Sequence, residues 1–117
     1  FQLKDTLWTQ VGPAVRGTSR GEQMGFSVSL SQDGRRFACG GPSNLHDDEK
    51  SGVVRVFDKS WDDKWNQIGD SLSSGVGDAF GFSVSLSKDG KVLVVGAPEM
   101  SDEGFSNVGF TDIFMLR

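Results

Sequence analysis

Short stretches of alternating apolar and polar residues run along the chain and predict β-strands. In the segment FSVSLS, residues 82–87, Phe82, Val84 and Leu86 alternate with three serines. This period of two residues is typical of a strand with one apolar face. The next segment, KVLVVGAP at residues 91–98, is almost continuously apolar, which predicts a strand buried on both faces.

Two further strands are predicted in the same unit, WNQIG at residues 65–69 and GFTDIFML at residues 109–116. No window of about a dozen residues combines a 3.6-residue period with helix caps, so no helix is predicted. Asp89-Gly90, between the second and third strands, predicts a tight hairpin because glycine accepts positive φ and aspartate bonds the nearby backbone. The predicted class is all-β with antiparallel strands.

The strand pattern occurs twice in the chain. GFSVSLSQDG begins at Gly25 and returns as GFSVSLSKDG at Gly81, with nine of ten positions identical. The pattern W-x-Q-x-G begins at Trp8 and returns at Trp65. A four-stranded unit of about 57 residues predicts the blade of a β-propeller. The two copies are repeat one, residues 1–64, and repeat two, residues 65–117.

Phe80-Gly81, followed by Gly96-Ala97-Pro98, resembles the signature of FG-GAP repeats in integrin-α-type β-propellers. Repeat one has the related segments Met24-Gly25 and Gly40-Gly41-Pro42. The resemblance implies a propeller that offers an adhesion or assembly surface, and it favours an extracellular or organelle-lumen location. The short Ser-x-Asp-Gly turn is also similar to that of WD-type blades.

The FG-GAP family carries a calcium loop of the type D-x-N-x-D-G-x-x-D, and this chain departs from it. Only Asp33-Gly34 and Asp89-Gly90 remain, and the residue three positions after each glycine is Phe37 or Leu93. Neither side chain can ligate a hard cation, which requires oxygen. We therefore expect no calcium in these turns.

Two blades cannot close a ring, since propellers use four to eight. The chain is therefore predicted to be part of a larger propeller, one of several identical chains that assemble into a ring, or an open pair held by a partner complex. The segment before Trp8 has apolar residues at Phe1 and Leu3. It is either the outer strand of a preceding blade or a tail that pairs with the last one.

Composition narrows the function classes. The net charge of −4 disfavours nucleic acid, because phosphate binding needs a basic field. No apolar run in the sequence is long enough to form a membrane span. Cys39 is the only cysteine, so no internal disulfide can form, and its place in a strand predicts a buried thiol.

Catalytic and metal-binding interpretations are weak. The two rows of alternating serines lack a histidine base nearby, so no catalytic residue, no cofactor and no enzyme activity are predicted. His46 has acidic neighbours but no second histidine or cysteine at ligand spacing, so a solvated loop is favoured over a metal site.

The loops at residues 43–51 and 99–107 differ between the copies while the strands do not, as expected for binding loops on a fixed scaffold. Trp8 and Trp65 share one strand position and are expected to pack between blades, whereas Trp61 has no counterpart. The predicted interaction surface consists of Trp61, Asn44, His46, Asp47, Asp48, Asp102 and Glu103.

The predicted function is a non-catalytic protein-interaction or assembly module, whose partner is another protein, a larger assembly or further blades. The alternative is a lectin-like propeller built from oligomerised two-blade chains, in which exposed tryptophan stacks on sugar.

Overall fold

The computed structural model describes residues 2–4, 6–18, 20–42, 52–73, 79–98 and 109–117. These residues form nine strands and no helix, which confirms the all-β prediction. In chain order the strands are β1 (Gln2–Lys4), β2 (Leu7–Thr9), β3 (Ser27–Leu30), β4 (Arg36–Gly41), β5 (Val53–Lys59), β6 (Trp65–Gln67), β7 (Ser83–Leu86), β8 (Val92–Ala97) and β9 (Phe110–Met115).

The strands form antiparallel sheets of the kind found in propeller blades. The first sheet has the order β3-β4-β5-β6 and the second has the order β7-β8-β9, so neighbours in sequence are neighbours in space. The two sheets share one register, because Val28 pairs with Cys39 and the corresponding residues of the second copy, Val84 and Val95, pair in the same way. The repeat in the sequence is therefore a repeat in the structure.

The sequence repeat and the sheets are out of phase. The sequence pattern places the strand at Trp65 first in repeat two, but β6 pairs with β5 and is the outer strand of the first sheet. The reason is the short connection between β5 and β6, where the amide of Ser60 donates to the carbonyl of Lys64 at 2.8 Å. A link this short closes a hairpin and cannot carry the chain to another sheet.

The N-terminal strand β1 pairs with β2 in a small hairpin of its own. The register runs from Gln2 opposite Thr9 to Lys4 opposite Leu7. This hairpin resembles the pair β5–β6, because Trp8 of β2 and Trp65 of β6 occupy the same position of the repeat.

The two sheets stack through faces of different character. Ser27 and Ser29 of β3 point toward the second sheet, while Val28 and Leu30 point away from it and are exposed. In β7 the orientation is reversed, because Val84 and Leu86 pack on the core between the sheets. The sequence pattern predicts a buried apolar face for both copies, and only the second copy has one.

The core lies between the stacked sheets. Its buried members are Ala38 and Val54 from the first sheet, Leu93, Val95 and Ala97 from β8, and Phe80. Strand β8 is buried on this side only, because its alternate residues Val92 and Val94 are half-exposed. The prediction that this strand is buried on both faces is therefore wrong for the chain as described.

Candidate interaction surface

Phe80 and Gly81 join the second sheet to the first. The Phe80 ring is fully buried and meets Phe114 edge to face, with ring centroids 6.2 Å apart. A Cβ at Gly40 would overlap with the Gly81 carbonyl, and one at Gly52 would overlap with the Phe80 carbonyl. Only glycine at these two positions lets the Phe-Gly segment approach the first sheet so closely.

The Phe-Gly segment is also bonded to the Gly-Ala-Pro segment of its own repeat. The Gly81 amide donates to the Gly96 carbonyl at 3.2 Å, and the Gly25 amide donates to the Gly40 carbonyl at the same distance. Gly81 and Gly25 have φ angles of 93° and 97°, a region that favours glycine. The four glycines of this motif thus have one structural role in both repeats.

The Asp-Gly turns are closed by their own side chains. Asp33 accepts from the Ser31 hydroxyl at 2.8 Å and from the Arg35 amide at 3.0 Å. Asp89 makes the same pair of bonds with Ser87 and Lys91. The backbone amide of Arg35 lowers the pKa of Asp33, and the Ser87 hydroxyl lowers the pKa of Asp89. Within the described ranges, no cluster of three candidate metal ligands is found.

A buried ion pair lies on the outer face of the first sheet, where Arg55 stands opposite Cys39. Arg55 of β5 donates through Nη2 to Glu22 Oε1 at 2.8 Å, and its other bonds reach Thr18 and Ser71. Burial raises the pKa of Glu22, but the hydrogen bonds and charge of Arg55, together with Thr18, outweigh burial and leave that pKa below its ordinary value. Arg55 Nη1 has no hydrogen-bond partner among the described residues.

Sequence reasoning missed the Arg55–Glu22 pair and also a second arginine bridge. Arg36 bonds both carboxylate oxygens of Asp58, at 2.6 and 2.9 Å, and donates to the Gly90 carbonyl at 2.6 Å. This side chain ties the first sheet to the turn of the second. For Arg55, the signal in the sequence was an arginine inside an apolar strand, Val-Val-Arg-Val-Phe at residues 53–57.

Trp61 is the one residue of the predicted surface that lies among the described residues. Its side chain is 95% exposed in the turn between β5 and β6. Asn44, His46, Asp47, Asp48, Asp102 and Glu103 lie outside the described residues. The segment 43–51 joins the described chain at Gly52, before β5, whereas Trp61 follows the end of β5. The length of β5, about 20 Å, separates these points.

Trp65 and Trp8 differ although they share a repeat position. Trp65 packs edge to face on Phe37 with centroids 4.9 Å apart, and its indole nitrogen donates to the Val11 carbonyl at 2.9 Å. Trp8 is 69% exposed. Neither ring lies between the two described sheets, because Trp65 packs on its own sheet and on the segment after β2.

The thiol of Cys39 is buried in β4, as predicted. Burial raises its pKa to about 11, so the thiol is protonated near neutral pH and is a poor nucleophile.

A comparison with family models matches residues 74–109 to the FG-GAP repeat. The matched stretch contains Phe80-Gly81 and Gly96-Ala97-Pro98, which form the bonded motif described above. The second half of the chain contains an FG-GAP repeat. No curated protein and no solved structure gives a significant match to the chain. Among the described residues, no helix has the length and hydropathy needed to cross a membrane.

The second sheet presents its outer face to solvent. At the other end of the stack the first sheet does the same along β3, whereas Cys39, which lies opposite Val28 on that face, is buried. On the first sheet, Val28 and Leu30 are 65% and 60% exposed. The sheet β7-β8-β9 is called the FG-GAP sheet, because β7 and β8 lie in the matched stretch. On this sheet, Ile113 is 68% exposed and Met115 is 57% exposed. Apolar residues aligned on a sheet face indicate a contact surface rather than a solvated one.

The FG-GAP sheet also borders an open cavity of about 210 Å³. Its apolar lining includes Ile68, Leu86, Leu93 and Phe114. In the first sheet the equivalent place, beside Val11 and Phe37, holds the ring of Trp65. The cavity therefore lies where a tryptophan of a fourth strand sits in the first sheet.

Proposed function

We propose that the chain is a non-catalytic protein-interaction module built on FG-GAP-type sheets. The observation that carries the proposal is the pair of outer sheet faces, on which Val28, Leu30, Ile113 and Met115 are mostly exposed. Covering exposed apolar residues on a sheet face with a partner is favourable, because it removes apolar surface from water. The rigid stack beneath them supplies a preformed surface, which lowers the entropic cost of binding.

The bonding of the serines supports a non-catalytic role. Ser27 donates to the Gly81 carbonyl at 2.8 Å, and Ser29 accepts from the Leu86 amide at 2.9 Å. Ser31 and Ser87 are bonded to the aspartates of their turns. A serine nucleophile needs a general base as its partner. These serines are bonded to backbone and to turn aspartates, so they act in packing and turn closure.

Affinity capture with the tagged full chain tests the proposal. A partner captured by the wild-type chain is expected to be lost with Leu30→Lys or Ile113→Lys, because a charge on either outer face opposes burial. Asp63→Asn, a change at an exposed turn residue, is the control that should capture normally. Capture that is the same with all four chains would contradict binding through the outer faces.

Trp61 favours a second candidate function, a lectin-like surface. Its accessible ring can stack on the apolar face of a sugar, and its exposure of 95% leaves it without a packing role. Binding to a glycan array, abolished by Trp61→Ala and retained by Leu30→Lys, would support this function. The absence of any glycan bound by the wild-type chain would reject it.

A further inference from the structure

The contact between the two sheets pairs two unlike faces. The first sheet contributes a serine face and the FG-GAP sheet contributes the apolar face of Val84 and Leu86. Two hydrogen bonds fix the pairing, Ser27 Oγ to the Gly81 carbonyl at 2.8 Å and the Leu86 amide to Ser29 Oγ at 2.9 Å.

The same two kinds of face lie open at the ends of the stack. The outer face of the FG-GAP sheet presents Ser83 and Ser85, the counterparts of Ser27 and Ser29 in the repeat. The outer face of the first sheet presents Val28 and Leu30, the counterparts of Val84 and Leu86. One end is therefore a second serine face, and the other is a second apolar face. An interface that joins two unlike faces leaves one face of each kind open on the pair, so further copies can add through the same contact.

We propose that copies of this chain associate head to tail, with the outer face of the FG-GAP sheet packing on the outer face of the first sheet of the next copy. The proposal rests on the proposed function, because it names the partner of the interaction module. The contacts between copies follow from the bonds inside the chain, with each residue replaced by its counterpart in the other repeat. Ser83 donates to the Gly25 carbonyl of the next copy, and the Leu30 amide of the next copy donates to Ser85.

The edge of the FG-GAP sheet supports the same arrangement. Strand β6 pairs with the outer edge of β5. Strand β9 is the equivalent of β5 in the second repeat, and no described strand pairs with its outer edge. The chain holds one other copy of the β6 pattern, because Trp8, Gln10 and Gly12 of the β2 segment match Trp65, Gln67 and Gly69. In a head-to-tail pair, β2 of the next copy lies where this fourth strand belongs.

Trp8 then fills the cavity beside the FG-GAP sheet. Val11, the acceptor for Trp65, corresponds in the repeat to Ile68, which lines the cavity. The Trp8 ring of the next copy therefore enters a space of about 210 Å³ and donates to the Ile68 carbonyl. An apolar cavity of roughly 150 Å³ is enough for a benzene ring.

Strand β1 competes for β2 and makes the association reversible. Among the described residues, three residue pairs hold β1 to β2. A two-stranded hairpin of this size is marginally stable in water. The edge of β9 is longer and already belongs to a sheet, so β2 can exchange β1 for β9 of the neighbouring copy.

The interface between copies is weaker than the one inside the chain. Met24 takes the place of Phe80, and Val92 takes the place of Arg36, which Asp58 holds within the first sheet and which donates to the Gly90 carbonyl of the second. The loss of an aromatic wedge and of an arginine hydrogen bond between the sheets predicts association that depends on concentration.

Sedimentation of the full chain from roughly 1 μM to 1 mM tests the proposal. The wild-type mass is expected to rise above 12.6 kDa with concentration. Trp8→Ala, Leu30→Lys and Ile113→Lys should each weaken association about tenfold or more, since each removes a central apolar contact. Trp61→Ala removes a tryptophan outside the interface and should associate like the wild-type chain.

Mixing the two lysine variants gives the sharpest readout. Leu30→Lys retains an intact FG-GAP face, and Ile113→Lys retains an intact first-sheet face. An equimolar mixture should therefore form a 1:1 dimer although each variant alone stays monomeric. Two monomeric variants that remain monomeric when mixed would overturn the head-to-tail arrangement.

The same chains separate this proposal from the proposed function. A wild-type chain that stays at 12.6 kDa overturns self-association, but the interaction module stands when affinity capture is lost in the two lysine variants. If the two lysine variants also capture the same partner as the wild-type chain, binding does not use the outer faces and both proposals fail.

Discussion

Glycines at the contact between the sheets allow the Phe80 wedge to enter. Gly52 lies against the backbone of Phe80, where a side chain would overlap with the carbonyl oxygen. Sequence alone reveals the Phe-Gly and Gly-Ala-Pro segments as repeated, because the letters recur. It could not reveal that Gly52 belongs with them, since the contact depends on how the two sheets stack.

We predict that Gly52→Ala destabilises the fold by about 2 kcal/mol or more, because the added methyl group meets rigid backbone. Gly96→Ala is the matched control, because its methyl group meets the hydroxyl end of Ser83, which can rotate. Urea unfolding of both variants measures the difference. Equal midpoints would show that the close approach at Gly52 does not hold the sheets together.

The Arg55–Glu22 pair predicts a pH-dependent stability. The pKa of Glu22 is lowered in the fold, so the pair stabilises the protein above the ordinary glutamate pKa of 4.5 and this contribution is lost as pH falls through the lowered value. Glu22→Gln leaves a buried arginine without its counter-charge, which costs about 3 kcal/mol at pH 7.

Thermal unfolding of Glu22→Gln across pH checks this sign. The gap between wild type and variant should be largest at neutral pH and should narrow below pH 4.5. Asp63→Asn also replaces a carboxylate with an amide, but its ion pair with Lys59 lies at the surface, so the change should be under about 1 kcal/mol at every pH. A Glu22→Gln gap that grows toward acid pH would contradict the ion-pair account.

At the scale of elements, the strands, the turns and the hairpin between β7 and β8 were predictable, but the partner of β6 was not. The alternation in FSVSLS and the Asp-Gly turn predict β7 and its hairpin with β8 from local chemistry. The predicted first strand of repeat two, β6, instead closes the first sheet, because pairing depends on the short link at residues 60–64. The predicted burial of Val28 and Leu30 in β3 is wrong, because these side chains face solvent on the outer side of the first sheet.

The two tryptophans around the β5–β6 hairpin give a matched test of that pairing. Trp65 packs on Phe37 and bonds the Val11 carbonyl, so Trp65→Ala should cost about 2 kcal/mol of unfolding free energy. Trp61→Ala removes an exposed ring and should change stability by about 0.5 kcal/mol or less. Chemical denaturation of both variants measures the two costs. Similar losses for the two would contradict the role of Trp65 in fastening β6.

For the whole molecule, the sequence predicts a pair of repeated sheets, and the structure shows which face of each sheet meets the other. A serine face meets an apolar face inside the chain, and one face of each kind is left open outside it. The repeat could be recognised in the amino-acid sequence, but the direction of stacking could not. The alternation of apolar and polar residues does not show which face of a strand meets the neighbouring sheet. The surface position of Trp61 was predicted from its lack of a repeat counterpart, whereas the outer faces emerged only from the stacked sheets.

Residue-resolved amide hydrogen exchange of the wild-type chain, at low and at high concentration, tests most directly whether the open stack is completed by another sheet. We predict that protection rises with concentration at the outer edge of β9 and around Trp8, while the central strands β4 and β8 exchange slowly at both concentrations. Exchange at β9 and Trp8 that is identical at both concentrations, in a sample whose mass has risen, would contradict completion of the FG-GAP sheet by a neighbouring copy.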